Sequence, residues 1–292
     1  MNEYTEFKHS GPITASITLA EGSVTVTGHD ADTILVEIKP ASGKPGADEA
    51  VEAAVVEFED AHLRVSAPDA GSGWIFIRRT TAVHIQVKLP HGSDVSVKSA
   101  SAPITLYGDL GPVSVNSVAG SATVDKAESV RANTVSGAVV LRNVTDEAKV
   151  NTASGAVQVD YVGGDFTAKT VSGSIIADRT NASVRAHTVS GLVQLSSLRR
   201  GTCRANSVSG HISLGIVPGT DVWMDLDAKV GTVTSELAAG DTSSVPHEKG
   251  DALELHARSL SGNIDLHRST RVLDTEVVEA PNVVTQHCQV TA

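Results

Sequence analysis

The sequence predicts an all-β protein, a parallel β-solenoid (β-helix) of roughly 18-residue coils with irregular β caps at both ends. Three observations predict it. A nine-residue phrase recurs almost unchanged: NTVSGAVVL from residue 133, NTASGAVQV from 151, KTVSGSIIA from 169, HTVSGLVQL from 187 and NSVSGHISL from 206. Valine, threonine and serine dominate while aromatics are only 3%, a composition of strands and turns. Apolar residues alternate with polar ones on both sides of the recurring Ser-Gly step.

The glycine of that step serves as a marker. Gly120, Gly137, Gly155, Gly173, Gly191 and Gly210 follow one another at 17 to 19 residues, and Ala102 fills the slot one turn earlier. Gly231 and Gly262 continue the series at longer intervals. Two and four places after the marker stand pairs such as Val139/Leu141, Val157/Val159, Ile175/Ala177 and Val193/Leu195. Seven and five places before it stand Val95/Val97, Val113/Val115, Val130/Ala132, Ala148/Val150, Phe166/Ala168, Val184/Ala186 and Cys203/Ala205. Each set reads as a short strand with one buried face, so each coil holds two strands with Ser-Gly at the corner. A tight corner suits glycine because it needs φ > 0 or has no room for a Cβ. One such coil buries too little to fold alone, so the coils must stack and share a core. The column three before the marker is Ser99, Ser117, Thr134, Thr152, Thr170, Thr188, Ser207 and Ser259. It reads as a ladder of hydroxyls bonded from coil to coil.

Residues 1–92 carry strand-like segments without the period and read as irregular N-terminal coils and a cap. The segments are VTVTG, TILVEIK, AVVEFED, LRVSAP, WIFI and VHIQVKLP, with a hairpin turn at Asp60-Ala61 and a surface loop over 39–50. Residues 93–270 form the regular solenoid with a loop insertion near 236–251, and 271–292 read as a flexible tail. Related turns, LPHGSDV at 89–95 and VPGTDV at 217–222, stand at either edge of the regular array.

The net charge of −11 argues against nucleic-acid binding. Its distribution is uneven. Residues 1–92 carry 7 basic against 13 acidic side chains, 93–215 carry 11 against 9, and 216–292 carry 5 against 12. No window is apolar enough to insert into a membrane as a helix. The start MNEYTEFKHSGPITASITL lacks a basic segment followed by an apolar run, and the two cysteines are far apart, so a cytoplasmic, reducing location is expected.

Stepping by six from Val130 gives Ser136 and Arg142, which breaks the aliphatic period of hexapeptide acyltransferases. Asp160 and Asp178 share a column but the column then runs to Ser196, so the pair reads as solvated. GSG at 71–73 with Arg78 and Arg79 lacks the lysine and helix of a phosphate loop. GGDF at 163–166 is a lone turn, and no histidine has ligand spacing. Ser136, Ser154, Ser172, Ser190 and Ser209 are five copies of one corner residue, which speaks against a unique nucleophile. Cys203 falls in an inward column and reads as a buried, inert thiol. No catalytic residue, cofactor or metal site is expected.

One outward feature exceeds an ordinary surface. The column six before the marker reads Arg131, Lys149, Thr167, Arg185, Arg204, and the column four before adds Lys169 and His187. Like charges stacked about 4.8 Å apart repel by up to about 1 kcal/mol per pair in water. A face built against that cost predicts a docking strip for an acidic partner, or for the acidic end of another copy.

The SG-x-[VI]-x-[LV] repeat from about 100 to 266, the segment VWMDLDAKVGTVTSEL and the final ELHARSLSGNIDLHRS together resemble the bacterial putative-adhesin family of β-strand-repeat proteins. The opening ASITLAEGSVTVTGHDADTILVEIKP is similar to the start of its actinobacterial members. The resemblance implies a non-enzymatic β-solenoid of unknown function, and the family's label implies a cell-surface setting. The expected function is therefore a non-catalytic scaffold or protein-interaction module. A solenoid enzyme acting on carbohydrate or acyl groups and a self-assembling structural element are the alternatives.

Overall fold

The computed structural model describes residues 3–41, 47–67, 82–237 and 252–269. The WIFI segment, the 71–79 glycine–arginine stretch, nearly all of the loop near 236–251, the tail from 271 and Cys288 lie outside the described residues.

Two long sheets face one another, one of 12 strands and one of 13. Each regular coil gives its strand before the marker to the first sheet and its strand after the marker to the second. A coil thus has two faces. Residues one period apart are hydrogen-bonded neighbours: Val130 pairs with Ala148, Ala148 with Phe166, Phe166 with Val184 and Val184 with Cys203. Across the core, Val139, Val157, Ile175 and Val193 form one vertical file, every member at most 1% exposed. The predicted register holds through the regular array.

The second sheet contains a third inward file that alternation does not reveal. Ala127, Val144, Val162, Thr180 and Leu198 lie three places beyond the preceding inward residue, and all are buried. The step of three is a bend in the strand that successive coils share without a shift of register between them.

The marker glycines serve space before torsion. A Cβ on Gly137 would lie 2.0 Å from the carbonyl oxygen of Gly120 in the coil beside it. Positive φ is needed only at the irregular end, at Gly231 (φ 143°) and Gly262 (φ 151°).

The hydroxyl ladder works differently from the expectation. In four coils the hydroxyl accepts from the marker's own N–H: Ala102 to Ser99, Gly120 to Ser117, Gly137 to Thr134 and Gly155 to Thr152, at 2.8 to 3.0 Å. These bonds tie the corner within a coil, not between coils. In later coils the Gly191 and Gly210 N–H groups donate instead to Ser209 O and Ser261 O of the next coil. Thr188 and Ser207 thereby lose their donor, and their buried hydroxyls make no hydrogen bond among the described residues.

Coil order in space departs from chain order at both ends. Strand Thr14–Leu19 lies between Asp94–Ser99 and His62–Ala67, and Glu21–His29 between Ala82–Pro90 and Ile104–Leu110. The first coil of the chain is thus second in the stack and in register with the regular array. At the other end Ala252–Ser261 and Ile264–Arg268 insert between the Gly210 coil and the coil of Asp221–Val230 and Val233–Ser235. The two related turns of the sequence are the crossings that skip a coil. Each has a glycine at positive φ, Gly92 (73°) and Gly219 (85°). The first is pinned by buried Ser93, whose Oγ donates to Pro90 O at 2.6 Å and accepts from Ile13 N–H at 3.1 Å.

The N-terminal end is closed by antiparallel strands: Glu3–Lys8 on Thr33–Pro40, and Val55–Glu59 on His62–Ala67. Asp60 and Ala61, both at positive φ, make the predicted hairpin turn. Phe7 and Phe58 meet across the two sheets with ring centroids 5.2 Å apart. The loop read over 39–50 is corrected at its end, because Ala47–Glu52 is helical and buries Ala47, Ala50 and Val51. Once past Pro45-Gly46, ADEAVE is a run of good helix formers with its apolar residues on one side.

Candidate docking face

The outer face of the first sheet is built of files that run along the stack. Two residues along a strand step the outward position by about 6.6 Å, so each alternate sequence column becomes one file. The file six before the marker holds Arg131 beside Lys149, then Thr167, then Arg185 beside Arg204. The sequence-predicted residues are thus brought into one line, and Lys169 stands in the adjoining file between Asn151 and His187. Arg131, Lys169, Arg185 and Arg204 are exposed and Lys149 is half-buried.

Their charges are largely uncommitted. Arg131, Lys149 and Lys169 make no ion pair among the described residues. Arg185 reaches Asp165 only at 4.0 Å. Short neighbours, Ser96, Ser114, Pro112 and Ser129, leave an open groove of about 350 Å³ beside Arg131 and Lys149, with Asp94 and Glu147 on its rim.

The basic line ends where the irregular coils begin. Arg204 pairs in register with His256, and His256 with Asp225. There His256 Nε2 lies 3.0 Å from Glu254 and Nδ1 3.4 Å from Asp225, while Arg258 donates to Asp225 at 3.1 Å. Hydrogen bonds from Arg258 and then His256 hold the Asp225 carboxyl below the usual carboxylate range, and a bond from His256 does the same for Glu254. Trp223 meets His256 edge-on at 5.3 Å.

The sequence reading placed the file four before the marker but not its internal bonding, and it missed a further file altogether. The file four before the marker is an amide ladder: Asn133 Nδ2 donates to Asn116 Oδ1 at 3.1 Å and Asn151 Nδ2 to Asn133 Oδ1 at 2.9 Å. The file two before the marker is an exposed apolar ridge, with Val118 54%, Val135 51%, Val171 51%, Val208 40% and Leu260 56% exposed. Its signal was the recurring Val, Ala or Leu two before the marker, which merged with the corner motif. A second legible signal is the segregation of charge. From Ala102 to Gly210, the ten residues that run from six before to three after each marker contain Lys98, Arg131, Lys149, Lys169, Arg185 and Arg204 and no acid at all. The acids between residues 96 and 213, from Asp109 to Asp178, all lie toward the opposite corner.

Among the described residues no group of three or more His, Cys, Asp or Glu side chains is gathered for a metal. Asp178 accepts from Ser196 Oγ at 3.4 Å. Cys203 is 1% exposed, and burial pushes its thiol up to about 12. No described helix is long and apolar enough to cross a membrane.

A two-sheeted solenoid of Ser-Gly-cornered coils with a patterned outer face is the class of protein these observations define. The chain belongs to the Toastrack DUF4097 family, whose model matches residues 14–221. No curated protein matches it. Among solved structures it is similar to a protein described as a putative lipid binding protein from Parabacteroides distasonis, at 15% identity and a TM-score of 0.45, covering 91% of this chain and 97% of that one. It is also similar to a putative adhesin from Parabacteroides merdae, at 11% identity and a TM-score of 0.38, covering 91% and 96%. A putative adhesin from Bacteroides fragilis matches at 14% identity and a TM-score of 0.34, covering 91% and 97%.

Proposed function

We propose that the chain is a non-catalytic interaction module that docks an acidic protein partner on the file of Arg131, Lys149, Arg185 and Arg204, with Lys169 beside it. One observation carries this reading: from Ala102 to Gly210 the marker-side half of the coils holds no acid, and in all but the Gly120 coil it holds a cation, in a chain of net charge −11. Exposed cations that lack internal partners keep their charge available to a ligand and steer its approach.

The experiment is binding of fluorescent poly-L-glutamate to the full chain at several salt concentrations, followed by anisotropy. Binding should weaken as salt rises. Combined reversal of Arg131, Lys149, Arg185 and Arg204 to Glu should weaken it by about tenfold or more at low salt. Equal binding by both proteins removes the proposal.

A further inference from the structure

The apolar ridge and the cationic file are the two banks of a trough whose floor is the file four before the marker: Asn116, Asn133 and Asn151, then Lys169 and His187. We propose that this trough seats an acidic amphipathic α-helix lying parallel to the stack. The inference rests on the cationic file being a docking surface and adds what the partner must look like.

The ridge is straight because its backbone is bonded from coil to coil: Ser136 N–H donates to Val118 O, Ser154 to Val135 O, Ser172 to Ala153 O and Ser190 to Val171 O, at 2.8 to 2.9 Å. From Val118 to Leu260 it spans six coil intervals, about 29 Å. Exposed aliphatic side chains aligned over such a length are apolar surface that a partner can bury.

The floor is prepared for burial. Asn116, Asn133 and Asn151 bond to one another through their side chains, so covering them does not strand all of their polar groups. On the far bank Arg131 and Lys149 stand without ion pairs among the described residues.

Dimensions select the occupant. Ridge and cationic file lie four residues apart along the strand, about 13 Å. A helix about 10 Å across fills that width and touches both banks, whereas a single extended chain reaches one bank only. A helix of about 19 residues spans the ridge, and its turns, about 5.4 Å apart, nearly match the coils. The charge pattern adds that its apolar stripe is bordered by acids on the side facing Arg131 and Lys149. A second copy fits less well. Two ridges alone offer less than the roughly 800 Å² per partner of a stable interface. The opposite, acidic corner shows no exposed large aliphatic side chain among the described residues from Asp109 to Asp178.

The test uses labelled synthetic helices of about 20 residues: one with a leucine stripe bordered by glutamates, and one of the same composition with the stripe scrambled. The full chain should bind the striped helix about tenfold more tightly than the scrambled one. Val118→Thr, Val135→Thr and Val171→Thr together should erase that difference and leave the scrambled helix unaffected. Arg131→Glu with Lys149→Glu should weaken both. Equal affinity for the two helices, or no effect of the threonine variant, overturns the trough while leaving the cationic strip standing. Indifference of both helices to the glutamate variant overturns the strip itself. Ridge-dependent sedimentation with phosphatidylglycerol vesicles, or a ridge-dependent dimer, in the absence of striped-helix binding also overturns the proposal.

Discussion

Gly137 sits directly beside Gly120 in the stack, with no room between them for a methyl group: a Cβ there would meet the Gly120 carbonyl oxygen at 2.0 Å and its carbon at 2.7 Å. Because the obstacle is backbone, it cannot swing aside. Gly137→Ala should destabilise the protein by about 1–3 kcal/mol through forced separation of two coils. Chemical denaturation with an unchanged m-value measures it.

Phe166 is the single aromatic residue of its inward file, wholly buried and paired in register with Ala148 and Val184. The small neighbour makes the space that the ring fills. Phe166→Ala should cost about 3–5 kcal/mol. Enlarging the neighbour instead, as in Ala148→Leu, should cost about 1–3 kcal/mol by overpacking. Thermal unfolding of both variants separates the two effects.

The amide ladder yields a smaller figure. Asn133 donates to Asn116 and accepts from Asn151. Asn133→Ala removes both bonds at a half-exposed site and should cost about 1–2 kcal/mol. A double-mutant cycle with Asn151→Ala should show positive coupling.

Cys203 should be inert. Burial raises its thiol from 9.0 to about 12, so the thiolate is scarce at neutral pH. A disulfide reagent at pH 8 should leave Cys203 unmodified until denaturant is added, as mass mapping of the modified cysteine will show. A raised folded-state value favours the folded thiol, so this contribution is complete below pH 9 and is lost as pH rises from 9 toward 12.

The Asp225 and Glu254 carboxyls carry the opposite sign. Their depressed values, set first by Arg258 and His256 respectively, contribute above the ordinary carboxylate range and are lost as pH falls through the lowered values. Asp225 ties the outermost strand Asp221–Val230 to its neighbour. Amide exchange in that strand should quicken below about pH 4, and Asp225→Asn should reduce the dependence, leaving the part that Glu254 contributes.

The regular array was legible because a one-period spacing forces residues such as Val157 and Ile175 into register, and alternation then says which face is buried. Val162 escaped notice because a bend in the strand replaces a step of two by a step of three. The Ala47–Glu52 helix was hidden behind Pro45-Gly46, whose loop character spread to its neighbours. The line of Arg131, Lys149, Arg185 and Arg204 followed from the period alone. The Val118–Leu260 ridge did not, because nothing local distinguishes an exposed valine from a buried one at a corner. Coil order was invisible for a similar reason: residues 14–29 state their strand pattern but not which coil they will lie against.

That order governs how the molecule comes apart. Coil 14–29 is clamped on both sides, by 62–90 and by 94–110. The outermost coil at each end is an interior stretch of chain, held at both of its own ends. Detaching it frees a tethered loop and not a loose tail, so fraying gains less entropy than in a sequentially wound rod. Traction from the C-terminal side likewise meets Ile264–Arg268, flanked by neighbours on both sides, whereas Glu3–Lys8 at the other end is an edge strand held by Thr33–Pro40 alone and gives way first.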